Sequence, residues 1–151
     1  RLSKLALMSC NLDDKGLGRI FAANLFLTEL DLHRTNVTDR GLMQIGSQKH
    51  LTFLNLSRCG VGDKCLEKIA DLPKLSALDI CCTSVSDRGI KILSRSKNLT
   101  RLSAKNINAT VACFPDLAKL KQLRSLALQG LDASVASLQE LQQALPNCDI
   151  H

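Results

Sequence analysis

The stretch LTELDLHRTNVTDRGLMQIGSQKH, residues 27–50, is followed without a gap by LTFLNLSRCGVGDKCLEKIADLPK at 51–74 and LSALDICCTSVSDRGIKILSRSKN at 75–98. The three blocks superpose at a step of 24 residues, so one supersecondary unit is copied and stacked. Two spacings coexist inside each block. Apolar residues at the fourth and sixth places alternate as in a strand, which sends Leu30, Leu32, Leu54, Leu56, Leu78 and Ile80 to one side. Farther on, Leu42/Ile45, Leu66/Ile69 and Ile90/Leu93 lie one helical turn apart. Each unit therefore predicts a short strand, a turn and a helix, with both apolar sides facing a common core.

The frame extends outward to a block opening at Leu2, one residue longer, and to blocks at Leu99 and Leu123, where Leu126 and Leu128 continue the apolar column. That makes about six repeats, and 1–151 reads as one domain. In the block from Leu99, Val111 replaces the repeating Asp and Pro115 interrupts the helix position, which predicts a turn or short 3₁₀ segment there. The last helix should stop before Pro146 and be followed by a short strand at 148–150, so that 145–151 forms a C-terminal cap. The Leu2 edge has no cap of its own, and the expectation is the C-terminal part of a longer array.

The pattern LxxLxLxx[T/C]xVxDxGLxxL resembles the leucine-rich repeat family. The resemblance implies an α/β solenoid with a curved parallel sheet on the concave face and helices and turns on the convex face. It also implies a non-catalytic module that binds a protein partner on the concave strands. Cys59, and Val37, Thr38, Asp39, Gly41 and Leu42 one unit earlier, match pieces of a cysteine-containing subtype found in F-box-type substrate receptors of ubiquitin ligases. A ligase-adaptor role is the alternative that this implies.

Composition narrows the classes further. The chain is 45% apolar, lacks Trp and Tyr and has four Phe, which suits a core of leucine layers. No apolar run approaches the roughly 18 residues that a membrane span needs. Cys10 and Cys59 share a repeat position with Thr35 and Thr83, while Cys65 and Cys113 stand where other units have Gly16, Gly41 and Gly89. Residues that alternate with Thr or Gly act as small buried groups, so reduced thiols in an intracellular compartment, cytoplasm or nucleus, are expected. The net charge of +6 points first at nucleic acid. Lys15, Arg40, Lys64 and Arg88, however, each follow the repeating Asp and fall on the outer face without aromatic residues for base stacking. Nucleic-acid binding through that basic convex face is a further, weaker alternative.

The repeating Asp14, Asp39, Asp63 and Asp87 precede the helices and read as start caps. The inner face is where the units differ. One column reads Lys4, Glu29, Phe53, Ala77, Arg101, Ser125, and the next reads Ala6, Asp31, Asn55, Asp79, Ser103, Ala127. A third reads Met8, His33, Ser57, Cys81, Lys105, Gln129, with Ser9, Arg34, Arg58, Cys82, Asn106 and Gly130 beside it. Phe53, an apolar residue ringed by Glu29, Asp31, Arg34, Asn55, Arg58 and Arg101, is the candidate interface anchor, with His33, Asp79 and Lys105 completing the partner-binding set. Asp31 and Asp79 lie near 10 Å apart by strand spacing, too far to share a proton, and are expected to meet basic groups of a partner. A Ser57–His33–Asp31 set can be written, but no loop supplies an oxyanion hole, so no catalytic residue is assigned and no enzyme is expected. Cysteine and histidine spacings fit no metal site, and no cofactor is implied. The chain is expected to be a monomer, or to be continued by upstream repeats.

Overall fold

The computed structural model describes residues 2–23 and 26–151. Strands β1 (Lys4–Ala6), β2 (Glu29–Asp31), β3 (Phe53–Asn55), β4 (Ala77–Asp79), β5 (Arg101–Ser103), β6 (Ser125–Ala127) and β7 (Asp149–Ile150) form one parallel sheet in sequence order. Register pairs Lys4 with Glu29, Phe53, Ala77, Arg101, Ser125 and Asp149 across successive strands. The 24-residue step is thus the register of the sheet, and every column read from the alignment is a physical row. Helices α1 (Asp14–Ala22), α2 (Asp39–Leu42), α3 (Leu66–Ala70), α4 (Asp87–Leu93), α5 (Phe114–Leu117) and α6 (Val135–Ala144) return the chain behind the sheet. A helix is about 10 Å across and strands are about 4.8 Å apart, so the stack bends with its strands inside the curve.

The leucine layers fill the space between. Leu30, Leu32, Leu54, Leu56, Ile80 and Leu126 are wholly inaccessible, Leu78 nearly so, and Leu128 is half-buried. Val37, Val61 and Val85 close the layer at the turns, and Leu42, Ile45, Leu66, Ile69, Ile90 and Leu93 close it from the helices. Pro115 does not interrupt its helix. It sits in the first turn of α5, where its missing N–H costs nothing, behind a 3₁₀ turn at Val111–Cys113. In the last unit α6 ends at Ala144, before Pro146, and β7 pairs with β6.

The repeating aspartates, expected as start caps, do not cap their own helices. Thr38 and Ser86 are the side-chain caps, accepting from the backbone N–H of Arg40 and Arg88. Each Asp instead reaches the next unit. Asp14 accepts the backbone N–H of Thr38 at 2.8 Å and its hydroxyl at 2.7 Å. Asp63 takes those of Ser86 at 2.8 and 2.6 Å, and Asp87 those of Thr110 at 2.7 and 2.8 Å. At the remaining junction Gly62 has no hydroxyl, and Asp39 holds only the N–H groups of Gly62 (3.0 Å) and Cys65 (3.2 Å). Helix α3 accordingly starts late, at Leu66, without a side-chain cap. The clasps also explain two glycines of the small-residue column, because a Cβ on Gly41 or Gly89 would run into the carboxylate of Asp14 or Asp63.

A second ladder runs along the strand entries. Thr28, Thr52, Ser76 and Thr100 donate their hydroxyls to the carbonyls of Ser3, Thr28, Thr52 and Ser76, at 2.9–3.1 Å. In the Cys/Thr column Cys10, on the outermost unit of the described sheet, is exposed and not buried as expected, whereas Thr35, Cys59 and Thr83 are buried. Thr35 donates to the Leu32 carbonyl at 2.9 Å, Thr83 to that of Ile80 at 2.6 Å, and the buried Cys59 thiol to that of Leu32 at 3.0 Å.

Candidate functional site

Because side chains alternate along each strand, the residues flanking the buried leucines stand on the open inner face. In the first row Phe53 is half-buried, and its neighbour Ala77 is only 4% accessible. The drop from a phenyl ring to a methyl group leaves a hollow of about 200 Å³ over Ala77, walled by Phe53, Asp79, Arg101, Ser103 and Ser125. Arg101 is exposed and enters no ion pair among the described residues. Glu29, one row-step from Phe53 on the other side, is bound to Lys4 at 2.7 Å.

In the second row Asp31, Asn55 and Asp79 turn their Oδ1 atoms back on the chain, each accepting the backbone N–H two residues on, from His33, Ser57 and Cys81, at 2.9 Å. These are Asx turns that bend the chain out of the strand. One oxygen of each carboxylate is therefore engaged within the protein, which reduces what Asp31 and Asp79 can offer a partner.

The residues after the third row are not strand residues. Ser9, Arg34, Arg58, Cys82 and Asn106 have φ between 53° and 57°, and Gly130 has φ 83°. This left-handed turn closes every unit and is the conformation that Gly and Asn tolerate best. Arg34 and Arg58 thus leave the ring drawn around Phe53 and stand together at the far edge of the face, on the side of His33 and Lys105. The predicted set divides into a hollow (Phe53, Asp79, Arg101) and a basic edge (His33, Arg34, Arg58, Lys105), with Glu29, Asp31, Asn55 and one oxygen of Asp79 tied up in intramolecular bonds. The Asn and Gly in the turn column were the signal in the sequence that this position is a turn.

His33 and Ser57 do meet, with Nδ1 2.7 Å from Oγ. The direction of that bond follows from its neighbours. The backbone N–H of Ser57 can only donate, so the Asn55 atom that it meets is the oxygen, and the Ser57 hydroxyl donates to the same oxygen at 2.6 Å. Ser57 must then accept from Nδ1–H. A serine activated by an imidazole does the reverse, giving its proton to the ring. Asp31 meets the backbone N–H of His33 and not the ring. The three residues brace a turn and do not assemble a nucleophile.

A family model described as "Leucine Rich repeat" matches residues 2–21, 23–46 and 47–70, three consecutive units of the seven-stranded array. These three units are leucine-rich repeats. Solved structures carry the same fold over nearly all of this chain's length. Internalin C2 from Listeria monocytogenes matches with a TM-score of 0.66 at 18% identity, over 98% of this chain and 69% of its own. A leucine-rich repeat protein of Leptospira interrogans matches with a TM-score of 0.69 at 18% identity, over 99% of this chain and 48% of its own, so this chain spans about half of it. Actin-binding site 2 of leiomodin-1 gives a TM-score of 0.60 at 12% identity, over 96% and 79%. A search of curated proteins returned no match.

The helical side of this leucine-rich repeat chain carries the basic residues singled out in the sequence. Lys15, Arg40, Lys64 and Arg88 are all exposed there. It also carries an apolar groove of about 290 Å³ between α5 and α6, bounded by Val111, Phe114, Pro115, Ala118 and Leu141, which the sequence did not announce. None of the described helices is long and apolar enough to cross a membrane.

Proposed function

We propose that this chain is a recognition module whose concave strands bind a protein partner, with the hollow over Ala77 as the principal contact. The observation that carries the reading is the juxtaposition of an apolar wall, Phe53, with an unpaired guanidinium, Arg101, across a floor that a single methyl group leaves open. Aromatic and Arg side chains around a depression are the groups that contribute most to interfaces, since a ring buries much area while ordering few rotors and a guanidinium presents several directed hydrogen-bond donors. The general use of leucine-rich repeats as interaction modules supports it. Seven free cysteines, four of them buried, fit a reducing compartment.

The test is affinity capture with the wild-type chain, with Phe53→Ala/Arg101→Glu, and with Arg88→Glu on the helical side. The partner is expected to be lost from the inner-face variant and kept by Arg88→Glu, with circular dichroism unchanged in both. An identical set of captured proteins from all three chains would refute the proposal.

A further inference from the structure

Arg34 and Arg58 occupy equivalent turns of adjacent units, where the backbone N–H of each donates to the next strand, to Ser57 and Cys81 respectively, at 2.9 Å. Their φ values, 54° and 57°, belong to a conformation in which a Cβ is disfavoured. Asn106 and Gly130, at the same position in later units, are the residue types that this turn accepts readily. The two arginines also sit one strand spacing apart, about 4.8 Å at their roots, so their like charges repel. Nothing within the described chain compensates either effect. Both side chains are exposed, and neither enters a hydrogen bond or ion pair. The acids of the inner face are occupied elsewhere, Glu29 by Lys4 and Asp31 and Asp79 by turn N–H groups. Lys105, two units on, and His33, whose ring is pinned to Ser57, extend the edge without adding negative charge.

We infer that Arg34 and Arg58 form a docking edge for a carboxylate-rich, extended segment of a protein partner. This rests on the reading that the concave side binds a protein, and names the chemistry of one part of that contact. An anion placed between the two guanidinium groups removes their repulsion, and a planar guanidinium takes a carboxylate through two parallel hydrogen bonds. In an extended chain, residues i and i+2 point the same way about 6.6 Å apart, a spacing that two flexible arginines rooted about 4.8 Å apart can match. Single-stranded nucleic acid would need stacking surfaces beside the cations. Phe53 stands at the opposite end of its strand from Arg58, and the chain has no Trp or Tyr.

The experiment is fluorescence anisotropy of a labelled twelve-residue peptide of alternating Glu and Gly, titrated with the intact chain at low salt. Arg34→Gly/Arg58→Gly is expected to weaken binding at least tenfold while raising the melting temperature, because glycine fits the turn. Loss of binding with a gain in stability cannot come from misfolding. Arg40→Gly/Arg88→Gly, which removes the same charge from the helical side, is expected to stay within twofold of wild type. The inference is overturned if the wild-type chain does not bind the peptide, if the two double variants weaken it equally, or if a single-stranded oligonucleotide of equal charge displaces it at lower concentration. Phe53→Ala is expected to leave this affinity unchanged, so failure here would leave the hollow over Ala77 to its own test.

Discussion

Replacing Asp63 by Ala removes both anchors that its carboxylate provides to the next unit, the backbone N–H of Ser86 at 2.8 Å and the hydroxyl at 2.6 Å. Hydrogen bonds to a charged acceptor contribute about 1.5–3 kcal/mol each, and Asp63 is half-buried, so water recovers part of the loss. A cost of about 2–3 kcal/mol is expected. In a stacked array stability is set by neighbouring interfaces, so the whole cost falls on the junction between the units of β3 and β4. For a chain of this length it corresponds to a fall of roughly 5–10 °C in melting temperature. Asp39→Ala is the internal comparison, because its carboxylate holds two longer bonds to N–H groups and no hydroxyl. It should cost about half as much. Thermal and guanidinium unfolding followed by circular dichroism would measure both. If Asp63→Ala melts within about 1 °C of wild type, or if the two variants lose the same amount, the clasp does not hold the units together as described.

Gly62→Ser supplies the missing hydroxyl at the weak junction, and Gly62 does not occupy the left-handed region, so a stabilisation of about 0.5–1 kcal/mol is expected. The gain should vanish in an Asp39→Ala background, as a double-mutant cycle would show. Burial pushes the Cys81 thiol from its ordinary 9.0 to about 11 and that of Cys113 to about 12. Above pH 9 the unfolded chain then loses thiol protons that the folded chain keeps, so stability falls as pH rises from about 9 through 11–12. Cys81→Ala/Cys113→Ala should flatten that slope in denaturant midpoints compared at pH 8 and pH 10.5, and an unchanged slope would count against it. In a thiol-labelling time course Cys10, exposed on the first unit, should react first, Cys81 and Cys82 next, and Cys59, Cys65, Cys113 and Cys148 only as the chain unfolds. Equal rates for Cys10 and Cys59 would contradict the burial described.

Most of the fold was legible because a repeat converts spacing along the chain into neighbours in space. Leu30, Leu54 and Leu78 could be placed in one layer, and Glu29, Phe53 and Ala77 in one row, without any tertiary information. What stayed hidden was the partner of each polar group. An Asp before a helix satisfies the rule for capping its own helix equally well whether or not it reaches 24 residues ahead, and only geometry decides. Arg34 and Arg58 were misplaced for a different reason. Strand alternation was continued past the last strand residue into a turn, where it no longer applies. The hollow was half visible, since Ala77 beside Phe53 could be read as a step in size, but the depth beneath it depends on how the rows pack. Asp31 and Asp79 looked available because the sequence does not show a backbone N–H turning back on a side chain.

The clasps and the strand-entry ladder share a polarity. In each described link of either kind, the earlier unit contributes the acceptor and the later unit the donor, from Thr28 onto Ser3 through Thr110 onto Asp87. A unit arriving from the ribosome therefore carries the hydroxyls that fasten it to a predecessor already in place. Until its successor arrives it exposes carboxylates and carbonyls, which water solvates well. These side-chain fastenings can consequently be made in the order in which the chain is synthesised, with no unit held open for one still to come.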